Sequence, residues 1–144
     1  MSHFVGLGFP KSFDYTGTRD NTAWLAIPAA LKFFRALDPT AAWAYESRLV
    51  EIYSALMSAL GAQPVGPTDM CAAMRTFMLP QTRSAAPDDG AILMRDLWKN
   101  ERIQISSGVL DGRLLMRVST QVYVAEEDLQ RLTDTLDRTG WPGR

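Results

Sequence analysis

Arg113-Leu114-Leu115-Met116-Arg117-Val118-Ser119-Thr120-Gln121-Val122-Tyr123 runs from an alternating apolar pattern into a polar exit. Leu114, Met116 and Val118 fall on one side of an extended chain, because successive side chains of a strand point to opposite faces. Arg113, Leu115, Arg117 and Ser119 fall on the other. The stretch reads as a half-buried strand that carries Arg117 just ahead of hydroxyl and amide side chains. A guanidinium held on a rigid element suits bidentate recognition of a carboxylate or phosphate. The same spacing allows a structural ion pair or an arginine lying along the sheet, and periodicity alone favours those plainer roles.

Working outward, Asp111-Gly112 is a strong hairpin signal. It joins this strand to an expected one over Glu101–Ser106, carrying Ile103 and Ile105, and the two should pair antiparallel. Before that strand, Asp88 or Asp89 caps a short helix running to about Lys99, with Leu93 and Leu97 inward and Met94 and Trp98 beside them. A further strand is expected over Ala73–Leu79, closed by Pro80, with polar loops over 63–68 and 81–88. Downstream, a helix over about 125–138 places Glu126, Glu127 and Asp128 in its first turn, where the helix dipole favours them. Leu129, Leu132 and Leu136 face the core.

Upstream, Asp20 or Asn21 caps a helix over about 21–37 whose Trp24, Ile27, Leu31 and Phe34 form one apolar stripe. Pro28 lies inside it. A second helix over about 40–60 uses Leu49, Tyr53, Leu56 and Leu60 as its core face, with Glu46, Arg48 and Glu51 off it and Gly61 as its stop. Residues 1–20 are irregular and rich in aromatics, a composition that packs onto something. The expected order is α-α-β-α-β-β-α. It describes an α+β fold with a small, mostly antiparallel sheet of three or four strands and helices mainly on one face.

The 144 residues suffice for one domain with a real core. A net charge of −1 argues against nucleic acid or anionic membrane as the main partner. No apolar run is long enough to span a membrane, and no basic-then-apolar leader opens the chain. One cysteine, Cys71, fits a reducing cytoplasm. With one His and one Cys no His/Cys metal site can be assembled, so no metal is expected. Cys71 sits in an apolar setting that reads as buried and inert, and Met70, Met74 and Met78 read as core filler.

A second notable stretch is Tyr15-Thr16-Gly17-Thr18-Arg19-Asp20, just before the first helix. Hydroxyls, a glycine and helix N-terminal amides can form an anion site. The simpler alternative is that Gly17 makes a turn and Asp20 caps the helix. Neither stretch offers a general base. Lys11, Lys32 and Lys99 are the chain's lysines, and none reads as a desolvated Schiff-base lysine.

Taken together, these stretches resemble the C-terminal part of the class V aminotransferases, pyridoxal-phosphate (PLP) enzymes of fold type I, closest to the isopenicillin N epimerase-like branch. Ser2-His3 is similar to the family's Ser-His segment, and Phe13 to Asp20 to its aromatic-Thr-Gly-Thr-x-Asp motif. Trp24 to Phe33 resembles the helix that follows. Arg117-Val118-Ser119-Thr120-Gln121-Val122-Tyr123 resembles its Arg-Ile-Ser-x-Gln-x-Tyr motif, and Asp128-Leu129 with the last helix its ending. The order and spacing of the pieces carry the resemblance.

The resemblance implies roles. Arg117 would grip the substrate carboxylate. Gly17 and Thr18 would reach the cofactor phosphate across a homodimer interface. Residues 1–20 would contact a missing large PLP-binding domain or the dimer partner, and 21–144 would form the small C-terminal domain. The full enzyme would act at an amino-acid Cα. The aldimine-forming lysine, the aspartate that pairs with the pyridinium nitrogen and the aromatic stacked on the ring have no counterpart here. The expectation is therefore a chain with no catalytic residue of its own, binding no cofactor alone and inactive alone: a truncated, split or remnant form. The alternative is a non-catalytic carboxylate- or phosphate-binding or protein-interaction module.

Overall fold

The computed structural model describes residues 5–13 and 18–140. The chain divides into two units, Met1–Pro39 and Thr40–Arg144.

In the first unit, single 3-10 turns at Val5–Leu7 and Lys11–Phe13 precede helix α1, Thr22–Ala36. Asp20 anchors its start by accepting a hydrogen bond from the Thr22 backbone N–H at 2.8 Å and another from the Thr22 hydroxyl. Those bonds lower the Asp20 pKa below the usual carboxylate value. Pro28 lies within the helix, and no residue of α1 is buried. The expected stripe exists, but it is uncovered: Trp24, Ile27, Leu31 and Phe34 are all exposed, as are Phe9 and Phe13.

The second unit contains helix α2 (Pro39–Ala59), strand β1 (Gln63–Pro64), strand β2 (Met74–Met78), helix α3 (Asp89–Asp96), strand β3 (Ser106–Leu110), strand β4 (Arg113–Ser119) and helix α4 (Glu126–Thr139). The four strands form one antiparallel sheet in the order β1-β2-β4-β3. This is the α+β architecture that the sequence predicts, with the two-residue β1 added at one edge.

One sheet face is covered. Phe77 and Leu79, with Leu114, Met116 and Val118 of β4, join Leu49, Tyr53 and Met57 of α2, Leu93 and Leu97, and Leu129, Leu132 and Leu136 of α4 in one buried cluster. At about 25 cal/mol per Å² of apolar surface removed from water, such a cluster is the main term holding this unit together. Tyr53 and Phe77 meet edge to face, their centroids 5.3 Å apart. Helix α2 closes as expected around Gly61, where the Gly61 and Ala62 amides donate to the carbonyls of Ser58 and Met57. At α4 the Asp128 carboxylate accepts the Ala125 N–H at 2.9 Å, one arm of a capping box.

Several expectations need correction. The strand placed over Glu101–Ser106 lies at Ser106–Leu110 instead. A π-helical turn carries the preceding helix on through Leu97–Glu101, and Arg102 ends it in the left-handed region at φ 56°. Asp111 and Gly112 both take positive φ, 49° and 70°. That is a two-residue type I′ turn, so the paired strands abut it and Leu110 faces Arg113 directly. Ile103 and Ile105 are part-buried against the core from irregular backbone, which is why their apolarity imitated a strand. Glu46, expected off the core face, is buried. It follows Ala42 by one helical turn and precedes Leu49 and Val50, so it lies on the stripe α2 buries. Met70 and Met74 are exposed rather than core filler. Cys71 is half-buried, its thiol 3.5 Å from the Pro67 carbonyl.

Candidate functional site

The second sheet face is open. Alternation puts Thr76 of β2, Arg117 of β4 and Ser106 of β3 on it, and the pairing lines them up. Thr76 faces Arg117, and Arg117 faces Ser106. Directly opposed residues of antiparallel strands have their Cβ atoms about 5 Å apart and share a face. Arg117 thus sits on an inner strand with a hydroxyl residue on each side.

These three, with Ser107, Gly108, Val109 and Leu115, line an open groove of about 300 Å³. Arg117 is its one charged lining residue, and no carboxylate lines it. The Arg117 guanidinium is exposed. Among the described residues it is absent from the ion pairs, which join Arg83 to Asp89, Arg95 to Asp96 and Arg138 to Glu101. A structural ion pair, the plainest alternative for Arg117, is thus not what the fold provides.

The strand holding Arg117 is fixed at its exit by Thr120, which sequence inspection passed over as part of a polar tail. Thr120 is 1% exposed. Its amide donates to the Ala73 carbonyl at 2.7 Å, and its hydroxyl lies 3.2 Å from the carbonyls of both Glu46 and Ala73. Beyond it, the Tyr45 hydroxyl donates to the Val124 carbonyl at 2.8 Å, tying the exit loop to α2. Thr76 and Ser106 were missed as well. For Ser106 a signal existed. A two-residue turn at Asp111-Gly112 sets the register, and counting back from it brings Ser106 opposite Arg117. Nothing local announces Thr76, whose pairing spans some forty residues of chain.

Of the other expected site residues, Gly17 lies outside the described residues, and with it the turn of the simpler alternative. Thr18 is exposed, in the first unit. Asp20 accepts the Thr22 N–H just ahead of α1, whose N-cap position is Asn21.

A second depression, about 370 Å³, is lined by Glu101, Glu127, Gln130, Arg131, Asp134, Thr135 and Arg138. Most of its polar groups satisfy one another. Arg138 pairs with Glu101 at 2.7 Å, Arg131 donates to the Glu101 carbonyl, and Gln130 donates to Asp134. It is a surface network of ion pairs and hydrogen bonds, of the kind that contributes little to stability.

The residues present do not fit the reacting end of PLP. Lys11, Lys32 and Lys99 are all exposed, and none lines the Arg117 groove. A Schiff-base lysine works from a desolvating pocket, and none of the three lines either depression. Among the described residues there is also no cluster of three or more His, Cys, Asp or Glu able to hold a metal, and no helix is long and apolar enough to cross a membrane.

A scan against protein-family models finds no match. Curated relatives do match along most of the chain. The isopenicillin N epimerases of Streptomyces clavuligerus and Amycolatopsis lactamdurans are 30% and 32% identical to it, each over 88% of the chain. A probable chloroplastic L-cysteine desulfhydrase of Arabidopsis thaliana is 29% identical over 95% of it. The chain spans 31% of the length of each of these relatives. Among solved structures, a cysteine desulfurase from Thermococcus onnurineus NA1 superposes with a TM-score of 0.67 at 19% identity, over 90% of this chain and 33% of that one. The 8-amino-7-oxononanoate synthase of Francisella tularensis gives 0.63 at 15% identity, over 92% and 38%. These two likenesses establish the fold.

Proposed function

We propose that this chain, which belongs with the C-terminal part of the class V aminotransferases, fold-type-I PLP enzymes, in the isopenicillin N epimerase-like branch, is the substrate-carboxylate-binding domain of an enzyme acting at an amino-acid Cα. The observation that carries the proposal is Arg117: exposed, outside every ion pair among the described residues, and held on an inner strand in a groove without carboxylates. A guanidinium so placed can accept a carboxylate in bidentate geometry and fix the substrate's orientation. Held by residues outside this chain, PLP would supply the electron sink for chemistry at Cα.

Three further assignments belong to the same proposal. A lysine-bearing domain of the relatives' kind, acting on an amino-acid substrate, completes the site. Gly17 and Thr18 meet the cofactor phosphate across a homodimer interface. Residues 1–20, with the uncovered apolar surface of α1, face that domain or the dimer partner, while 21–144 form the small domain, and the setting is cytoplasmic. The exposure of Phe9, Phe13, Trp24 and Leu25 supports the third.

The chain alone is then inactive. Mixed with PLP and reduced with borohydride, it is expected to yield no stoichiometric adduct on any lysine. One lysine trapped quantitatively would overturn this. Joined to the lysine-bearing domain of the Streptomyces relative, it is expected to lose amino-acid affinity about 100-fold on Arg117→Leu, as loss of a charge-assisted bidentate contact requires. An unchanged KM would remove Arg117 from the site.

A further inference from the structure

We propose that Thr76 and Ser106 are substrate-binding residues that complete, with Arg117, a three-strand seat for a single carboxylate. The proposal rests on the reading of Arg117 as a carboxylate clamp and goes beyond it by adding two residues and a ligand class. The register is its basis. Thr76, Arg117 and Ser106 sit side by side on β2, β4 and β3, on the open face, and all three line one groove. A carboxylate has two oxygens and about four acceptor positions. A guanidinium fills two of them from one direction, and hydroxyls on the flanking strands are placed to donate to the rest. Neither hydroxyl makes a hydrogen bond to the protein among the described residues, whereas that of Ser107, on the neighbouring position, donates to the Leu115 carbonyl at 2.7 Å. Gly108, next along the open face of β3, brings no side chain, and nothing lies within 4 Å of where its Cβ would be, so the floor beside Ser106 stays clear. Arg117 is the groove's one charged residue, so this seat takes one carboxylate, and the rest of the ligand extends to the domain that completes the site.

The test is an NMR titration of the chain, ¹⁵N-labelled, with sodium propionate exchanged against chloride at constant ionic strength. Amide shifts are expected at Thr76, Ser106 and Arg117. Thr76→Val and Ser106→Ala should each weaken propionate binding about tenfold, the scale of one hydrogen bond to a charged group, and Arg117→Leu should abolish it. Valine keeps the β-branched shape, and both hydroxyl positions are on the uncovered face, so the spectra should otherwise be unchanged. If Arg117→Leu abolishes binding while the two hydroxyl variants bind as the parent does, the three-strand seat is wrong and the Arg117 clamp stands. If the parent chain shows no shift at Arg117, or Arg117→Leu binds normally, both ideas fall. Succinate should bind no more than about twofold tighter than propionate, the statistical advantage of its two ends. A tenfold gain would overturn the single-carboxylate assignment.

Discussion

Asp89 shows how one side chain can tie stability to pH. Its carboxylate accepts hydrogen bonds from the Arg83 guanidinium and the Ala86 N–H, both at 2.9 Å. The Arg83 bond, then the backbone bond, hold its pKa below the ordinary value. A depressed carboxylate contributes stability above its unfolded pKa of about 3.9 and loses it as pH falls through the folded one. Asp89→Asn is expected to lower Tm at neutral pH and to flatten the loss of stability below about pH 4; an unaltered acid limb would show that the bond is not stabilising. Tyr53 carries the opposite kind of prediction. It is fully buried, its hydroxyl has no hydrogen-bond partner among the described residues, and burial pushes its phenol pKa above the usual value. Tyr53→Phe should therefore be neutral or stabilising by up to about 1 kcal/mol in urea denaturation, because it removes a desolvation cost without breaking a bond. Sequence inspection could place Tyr53 on the core face of α2 and Arg117 on the outward face of its strand, since both follow from spacing. It could not see that the hydroxyl of Tyr53 is orphaned or that Arg117 lacks a carboxylate. Those depend on residues brought in by tertiary contact.

At the scale of elements, the hairpin was half legible. Asp111-Gly112 announced the turn, and the alternation of Leu114, Met116 and Val118 gave the face of β4. The position of β3 was lost because Ile103 and Ile105 advertised a strand where the chain is leaving a π-helical turn. Ser106-Ser107-Gly108, the true start, carries little apolar pattern. The close approach there falls on a helix glycine instead. A Cβ added at Gly90 on α3 would lie 2.7 Å from the Gly108 Cα. Helix and strand therefore approach at backbone distance. Gly90→Ala, ordinarily favourable in a helix by about 1 kcal/mol, is expected here to destabilise by about 1–3 kcal/mol, as overpacking does. A rise in the urea midpoint would mean that α3 can shift away from β3 freely.

For the whole molecule, the open question of the sequence was what the apolar face of the first helix is for. Its stripe of Trp24, Ile27, Leu31 and Phe34 was legible; its being left uncovered was not, because periodicity reports an apolar face and never what meets it. With no residue of α1 buried, the isolated chain is expected to self-associate as concentration rises. Replacing Trp24 and Leu25 by Gln should reduce light scattering without lowering the melting temperature of Thr40–Arg144; a matching fall in that temperature would place both residues in the fold's own core. The strand order β1-β2-β4-β3 has a kinetic consequence as well. The β3–β4 pair closes through two residues, whereas β2 meets β4 only after the intervening loop and α3 have been gathered in. Closing that longer loop costs chain entropy before its contacts repay it. The hairpin should thus form first, and the β2–β4 seam should set the folding rate. Arg117 stands on that seam, so the seat for a ligand is assembled in the last pairing step, and amide exchange along β4 should report the opening of the whole unit rather than local fraying.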